Sequence, residues 1–385
     1  MPSYDITIVG SGVLGAFHAY HALQKGLTVC LTEKDNRPVS ATVRNFGQAV
    51  PSGLSSAWHA WGCRGVEIYR TIQQEFDITV RQNGSVYIAS DDAEQQLLHE
   101  LQQRMREKDY PCELLTAHEC LQRWPSLRAS YVREGLFFPL DASLEPDTMI
   151  HRLIAYLQHK FPNRFLFRPG TPVIGCEQKG DSVTITTAQG EHWQAHRALI
   201  CSGNEFRLLF PEVFQASGLI AVKLQMMQTV PMPHVTLRSN ILTGLTIRRY
   251  ESFEECPSFA SLQTPEHLQE LKAWGIHILF KQALDGSVIM GDSHEYAPCT
   301  APEHLTFAIH QNIQDLILKE AAKIVSFDVF ALQTAWAGFY SQHPERDIVL
   351  LDVDDRIRIC TGIGGKGMTS SAGFAEHHLH QLLQE

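Results

Sequence analysis

Residues 4–15 read YDITIVGSGVLG, and this stretch decides the fold. YDITIV is a stretch of strand length, rich in β-branched residues and ended by Gly10, which predicts a short strand buried on both faces. Residues 13–25 follow with Leu14, Phe17, Ala22 and Leu23 on one helical stripe. Residues 27–32 (LTVCLT) predict a second strand, ending at Glu33. Strand, helix and strand within roughly 30 residues make a βαβ unit. At its first turn stands Gly10-Ser11-Gly12-Val13-Leu14-Gly15, a G-x-G-x-x-G. The glycines permit a tight turn and let backbone approach a pyrophosphate, which the helix N-terminus stabilises. Glu33 lies 33 − 15 = 18 residues beyond Gly15, near the spacing of an acid that holds ribose hydroxyls, with Lys34 beside it. The stretch therefore predicts dinucleotide binding.

Outward from it, residues 54–76 carry Leu54, Trp58, Trp61, Ile68, Ile72 and Phe76 at helical spacing, and SVYIA (85–89) is a strand. Helices are predicted over 92–109, closed by Pro111, and over 146–161, opened by Pro146. Residues 182–187 and 197–202 predict strands. From about 218 to 292 the pattern is mostly strand: AVKLQMMQTV, TGLTIRRY, GIHILFK and GSVIMGD, separated by polar or glycine turns. A long helix is predicted over 307–324 with Phe307, Ile313, Leu316, Ile317 and Ile324 inside. A hairpin (348–351 and 356–360) then leads through TGIGGKGMT (361–369) into a last helix ending near 383. Dinucleotide-type α/β elements thus lie at the start, middle and end. The expected architecture is α/β: a Rossmann-like domain (1–77, 145–215 and 328–385) interleaved with an α+β substrate domain (78–144 and 216–327) on a mostly antiparallel sheet.

The chain has 385 residues, 44% of them hydrophobic and 19% charged, and 32 Lys+Arg against 42 Asp+Glu give a net charge of −10. This is a globular balance, long enough for two domains. Its acidity argues against non-specific nucleic-acid binding and against a basic membrane-surface protein. Nine cysteines contain no C-x-x-C, which fits reduced thiols, and no His/Cys set has zinc spacing, so no metal is expected. His377, His378 and His380 fall in an amphipathic tail and are expected to be solvated. Cys360 ends an apolar strand and is expected to be an inert core thiol. No apolar run reaches spanning length. The N-terminal segment lacks a basic start and is broken by glycines, unlike a signal peptide, so the cytoplasm is expected.

NAD and FAD share the glycine fingerprint. The second glycine-rich element, Gly362 to Thr369, precedes the last helix and could set backbone N–H groups against a developing negative charge, which suits a reduced flavin. YDITIVGSGVLG, Glu33, ALICSG (198–203) and TGIGGKGMT together resemble the D-amino-acid oxidase, glycine oxidase and sarcosine oxidase superfamily of FAD enzymes, over nearly the whole chain. RNFGQ (44–48), KLQMMQT (223–229), RYESFEECP (249–257) and WGIHILFKQALDGSVIMGDSHEY (274–296) resemble its branch associated with aminophosphonate catabolism. The resemblance implies non-covalent FAD, and an amine substrate, an aminoalkylphosphonate or its N-methylated form. Hydride passes to flavin N5, the imine is hydrolysed, and O2 accepts the electrons to give hydrogen peroxide. It implies cofactor contacts at Gly10, Gly12, Val13, Leu14, Gly15, Glu33 and Lys34. Others are implied at Ser40, Arg44, Asn45, Phe46, Gly47, Gln48, at Val173 for the adenine, and at Ser202 and Gly203. The C-terminal set is Gly338, Gly364, Gly365, Lys366, Gly367, Met368 and Thr369.

One departure stands out. Amino-acid oxidases of the superfamily carry an Arg that holds the substrate carboxylate, where this chain has Tyr340 in Trp336-Ala337-Gly338-Phe339-Tyr340-Ser341. A neutral phenol is no bidentate clamp. The anion must then be held elsewhere, with Arg44, Gln48, Lys223, Arg248, Arg249, His277, Lys281 and His294 as candidates. If 243–250 is a strand, Arg248 and Arg249 face opposite sides and one reaches the pocket. Lys366, Tyr340 and His277 are the candidates for a catalytic role. Competing readings are a glycine/sarcosine-type oxidase, a dinucleotide-binding subunit without turnover, and an NAD-dependent dehydrogenase.

Overall fold

The computed structural model describes residues 3–384. Two sheets organise it. The first has eight strands and is built on β1 (Ser3–Val9), which pairs in parallel with β2 (Val29–Thr32) on one side and with His192–Ile200 on the other. Between β1 and β2 runs α1 (Val13–Gln24). Phe165–Arg168 extends the sheet beyond β2, and Ile357–Thr361 and then Val349–Asp354 extend it beyond His192–Ile200. Ile6, Ile8, Leu31 and Leu199 are buried with the faces of α1 and of the last helix, Gly367–Leu382. Parallel strands covered on both faces explain why Ile6, Thr7 and Ile8 are buried at consecutive positions.

The second sheet has nine strands. Its longest pairing joins Ile220–Thr229 to Leu332–Gln342, antiparallel from Ile220↔Gln342 to Thr229↔Leu332. The sequence pattern assigns residues 332–342 to the Rossmann-like domain. They instead lie wholly on the second sheet, because that register pairs the full length of both strands.

Three further expectations are corrected. TGLTIRRY is not a strand: Gly244–Ile247 is a helical turn, and Glu251–Glu254 forms another. The β-branched residues favour a strand locally. Tertiary contacts override them, since Arg248 is drawn to acids of a different helix. The helix expected from 307 begins at Gln311, with Thr306 at φ 44° and Phe307 89% exposed. His378 is not solvated; it is 1% exposed, against His18 of α1. Among the described residues, no helix is long and apolar enough to cross a membrane.

Candidate active site

A cavity of about 700 Å³ opens at the N-terminus of α1 and passes between the two sheets to the N-terminus of the last helix. Gly12, Val13 and Leu14 line its first part, and Gly364 to Thr369 line its far part. Gly10 and Gly15 lie behind the wall and shape it. A Cβ on Gly15 would sit 1.9 Å from the Gly10 oxygen, and Gly10 has φ 100°, where an added Cβ would lie 2.3 Å from the Cys201 oxygen. No side chain fits either position, so the turn stays tight against the helix start. The Val13 N–H donates to Thr42 Oγ1 at 3.1 Å.

The segment 40–48 forms the roof. Asn45 Nδ2 donates to the Ala41 and Thr42 oxygens, and its Oδ1 accepts from the Gly47 N–H at 2.8 Å, which holds Gly47 at φ 71°. Arg44 Nε donates to the Val39 oxygen and a terminal nitrogen to the Ala337 oxygen, while Trp336 Nε1 donates to the Arg44 oxygen. These bonds tie the roof to the strand Leu332–Gln342. Arg44, Asn45, Phe46, Gln48, Gly203 and Gly338 all face the cavity.

Not every expected residue does. Glu33 is buried and accepts from the N–H and Oγ of Ser11. Lys34, Ser40, Gly47, Val173 and Ser202 are not on the wall. Lys34 pairs with Asp35, and Val173 opens a strand and is buried in the sheet core.

At the substrate end the cavity meets Arg249, Tyr250, His277, Leu279, Asp292, His294 and Tyr340. His277 Nε2 lies 2.7 Å from Asp292 Oδ1. Burial opposes ionisation of Asp292, yet its contacts with His277 and the nearby Arg249 guanidinium prevail and hold its carboxyl below the usual range. Burial pushes His294 down to about 3, so it is neutral. Its Nδ1 faces the Gly275 oxygen at 3.0 Å and must be the donor, which leaves Nε2 as an acceptor. These three side chains bring ligand-type atoms within 4.8 Å of one another, but the neighbouring Arg249 opposes a cation there. Burial raises the Tyr340 phenol far above its ordinary value.

The basic candidates separate sharply. Arg248 turns away from the cavity to Asp91 and Glu94, 2.5 Å from each. Lys281 is buried against Glu145 at 2.7 Å, and Lys223 lies 3.3 Å from Glu295. Neither lysine lines the cavity. Lys366 does, but pairs with Glu251 and Asp347. Arg249 donates to Tyr296 Oη at 3.3 Å and, among the described residues, has no carboxylate at ion-pair distance. Sequence reasoning does not single out Asp292, Thr42, Asn204 or Tyr296. The alternation Asp292-x-His294 is the available signal, since such residues share a face of an extended chain.

A tight glycine turn, two helix N-termini and a cavity of this volume suit an elongated dinucleotide. The fold and the site thus define a Rossmann-type dinucleotide-binding protein whose cofactor cavity ends at a polar pocket on a second sheet. Residues 5–379 match the model of the DAO, FAD dependent oxidoreductase, family, and the chain belongs to that family. FAD is the cofactor of this family, and the glycine turn and roof fit it. An N-methyl-L-tryptophan oxidase of Shigella dysenteriae serotype 1 is 27% identical over 238 residues, 57% of this chain and 62% of that protein. That of Escherichia coli O127:H6 matches to the same extent. The chain thus spans about 62% of the length of these relatives. Among solved structures, L-proline dehydrogenase from P. horikoshii superposes with TM-score 0.81 at 16% identity, covering 100% of this chain and 94% of that one. Glycine oxidase from Geobacillus kaustophilus gives 0.78 at 16%, covering 100% and 95%. L-alpha-glycerophosphate oxidase from Mycoplasma pneumoniae, with FAD bound, gives 0.78 at 16%, covering 100% and 96%.

Proposed function

We propose that the chain oxidises a small amine bearing an anionic group, an aminoalkylphosphonate or its N-methylated form, with non-covalent FAD. The observation that carries the reading is Arg249. It is a partly buried guanidinium on the cavity wall whose side-chain partner is a neutral phenol, while Arg248, Lys281, Lys223 and Lys366 are each neutralised by carboxylates. A guanidinium in a cavity that makes no direct ion pair can receive a substrate anion. Tyr340 at the former clamp position supports an anion held from the other wall.

Gly10 to Gly15, the segment 40–48, Gly203, Gly338 and Gly364 to Thr369 would hold FAD. When bound, FAD supplies the acceptor for the two electrons that leave with the substrate C–H hydrogen, and passes them to O2 as hydrogen peroxide. The protein's part is orientation, dryness and a hydrogen-bond acceptor for the amine. Arg249 and Tyr296 hold the anion. His294 Nε2 accepts a hydrogen bond from the amine, which reacts in its neutral form. Phe46, Leu224 and Leu279 line the same wall and exclude water. The imine product is hydrolysed to an aldehyde and a free amine.

The test is anaerobic mixing of the yellow protein with candidate amines. Aminoalkylphosphonates should bleach the flavin faster than sarcosine, glycine or N-methyl-L-tryptophan. Faster bleaching by sarcosine would make it a carboxylate oxidase instead. A colourless protein that cannot be reconstituted with FAD would end the flavoenzyme reading.

A further inference from the structure

Behind the cofactor cavity lies a buried chain of four side chains that the oxidation reaction does not use. The Cys201 and Cys360 thiols are close enough to influence each other, and the Cys360 sulfur lies within 4.8 Å of a ring nitrogen of His378 and of His18. His378 Nδ1 lies 2.9 Å from His18 Nε2, and His18 Nδ1 lies 2.7 Å from the Leu14 oxygen. His18, Cys360 and His378 are each no more than 1% exposed, and Cys201 is 7% exposed.

The proton positions follow from the partners. The Leu14 oxygen only accepts, so His18 Nδ1 carries the hydrogen and the neutral ring accepts at Nε2. Burial keeps His18 neutral, pushing it down to about 3. His378 must then donate from Nδ1, which leaves its Nε2 unprotonated. No N–H or O–H reaches that nitrogen. The Cys360 sulfur lies within 4.8 Å of a nitrogen of this ring, so a small shift brings thiol and base together.

The two thiols are also placed for bonding. Ile200 pairs with Ile359, the last pair in their parallel register, and Cys201 and Cys360 each follow it by one residue. Neighbouring strands lie about 4.7–4.9 Å apart, inside the roughly 4.4–6.8 Å Cα separation a disulfide spans. Cys201, Thr361 and Gly362 belong to the cavity wall, which gives a small oxidant a short path. Cys63 shows the contrast. It lies 3.7 Å from His59, but burial pushes its thiol up to about 12 and it has no second thiol beside it among the described residues.

We propose that Cys201 and Cys360 form a peroxide-oxidised dithiol, whose disulfide staples the two strands beneath the cofactor cavity. His378 Nε2 takes the Cys360 proton. The thiolate attacks hydrogen peroxide, so that an S–O bond forms, the O–O bond breaks, and the hydroxide leaves with the His378 proton as water. The Cys201 sulfur then attacks the sulfenic acid. An S–S bond forms, the S–O bond breaks, and a second water leaves with the Cys201 proton. In sum, two thiols and one peroxide give a disulfide and two waters, with peroxide the species reduced. The site is independent of the substrate reading, because the peroxide can be added from outside.

The test is to treat the flavin-loaded protein with hydrogen peroxide, alkylate the remaining thiols, digest it and map peptides by mass spectrometry. The expected result is one Cys201–Cys360 disulfide, loss of two titratable thiols, and full recovery with dithiothreitol. His378→Asn should slow formation at least tenfold. Cys201→Ser should stop at a Cys360 sulfenic acid that dimedone captures, which keeps the proposal open to refutation if the His378 variant fails to fold. Disulfides or oxidised thiols mapping elsewhere, no dimedone adduct in Cys201→Ser, or His378→Asn reacting at the wild-type rate would each overturn it.

Discussion

Adjacent arginines with opposite fates allow a sharp test. Arg248→Met removes a guanidinium that donates to Glu94 Oε1 and Asp91 Oδ2 at 2.5 Å each and to the Gln263 oxygen at 2.9 Å. The Glu94 side chain is 1% exposed. Breaking a buried pair by removing one partner costs about 3–5 kcal/mol, because the other charge is left uncompensated. Glu94 keeps the Ser90 N–H and Oγ at 2.7 Å, so the lower end applies, about 3 kcal/mol. At about 1.2 °C per kcal/mol for a chain of 385 residues, melting should fall by roughly 4 °C. Arg249→Met leaves behind a neutral phenol that still meets water, since Tyr296 is 50% exposed, so melting should move little. It removes two charge-assisted bonds to a substrate anion, each worth about 1.5–3 kcal/mol. Flavin reduction should then lose a factor of roughly 10²–10⁴ in kcat/KM. The assays are thermal unfolding of the flavin-loaded protein and anaerobic stopped-flow reduction by an aminoalkylphosphonate. If Arg248→Met keeps its melting temperature and loses kcat/KM, or Arg249→Met does the reverse, the assignment of the two side chains is wrong.

Three further outcomes are expected. Tyr296→Phe removes one hydrogen bond to Arg249, about 1 kcal/mol, so kcat/KM should fall about fivefold with FAD retained. Gly15→Ala would set a Cβ 1.9 Å from the Gly10 oxygen, which forces the turn open; the protein should purify without flavin absorbance, and normal FAD content would contradict this. Asp141 is fully buried, and loss of hydration pushes its carboxyl up to about 7. The folded state therefore binds this proton more tightly than the unfolded chain. Its contribution is fully present below about pH 4 and lost as pH rises to 7, on the order of 4 kcal/mol. Denaturant titrations of Asp141→Asn should show a shallower fall in stability between pH 4 and 7 than wild type, and equal slopes would refute it.

Much of the fold is legible locally. YDITIV and ALICSG show themselves as buried parallel strands because both faces of the sheet are covered, and the glycine turn is legible because its constraint is steric and confined to six residues. Residues 243–250 mislead because β-branched side chains favour a strand, while Arg248 finds its acids on Asp91 and Glu94, more than 150 residues away in sequence. His378 misleads for the same kind of reason: a polar residue on a tail helix looks solvated until His18 is seen opposite it. The residues of the substrate pocket are legible only as an unsorted set of polar candidates, among which His277, His294 and Tyr340 do reach the cavity.

The amino-acid sequence by itself determined the dinucleotide turn, the helix that follows it and the second glycine-rich helix start. These depend on backbone freedom and on residues close together in the chain. The tertiary structure alone decided which cations face the cavity, which acids pair with Arg248, Lys223, Lys281 and Lys366, and that His18 meets His378 beside Cys360. Those outcomes depend on long-range pairing of charges and strands. Neither composition nor periodicity encodes which partner a side chain will meet.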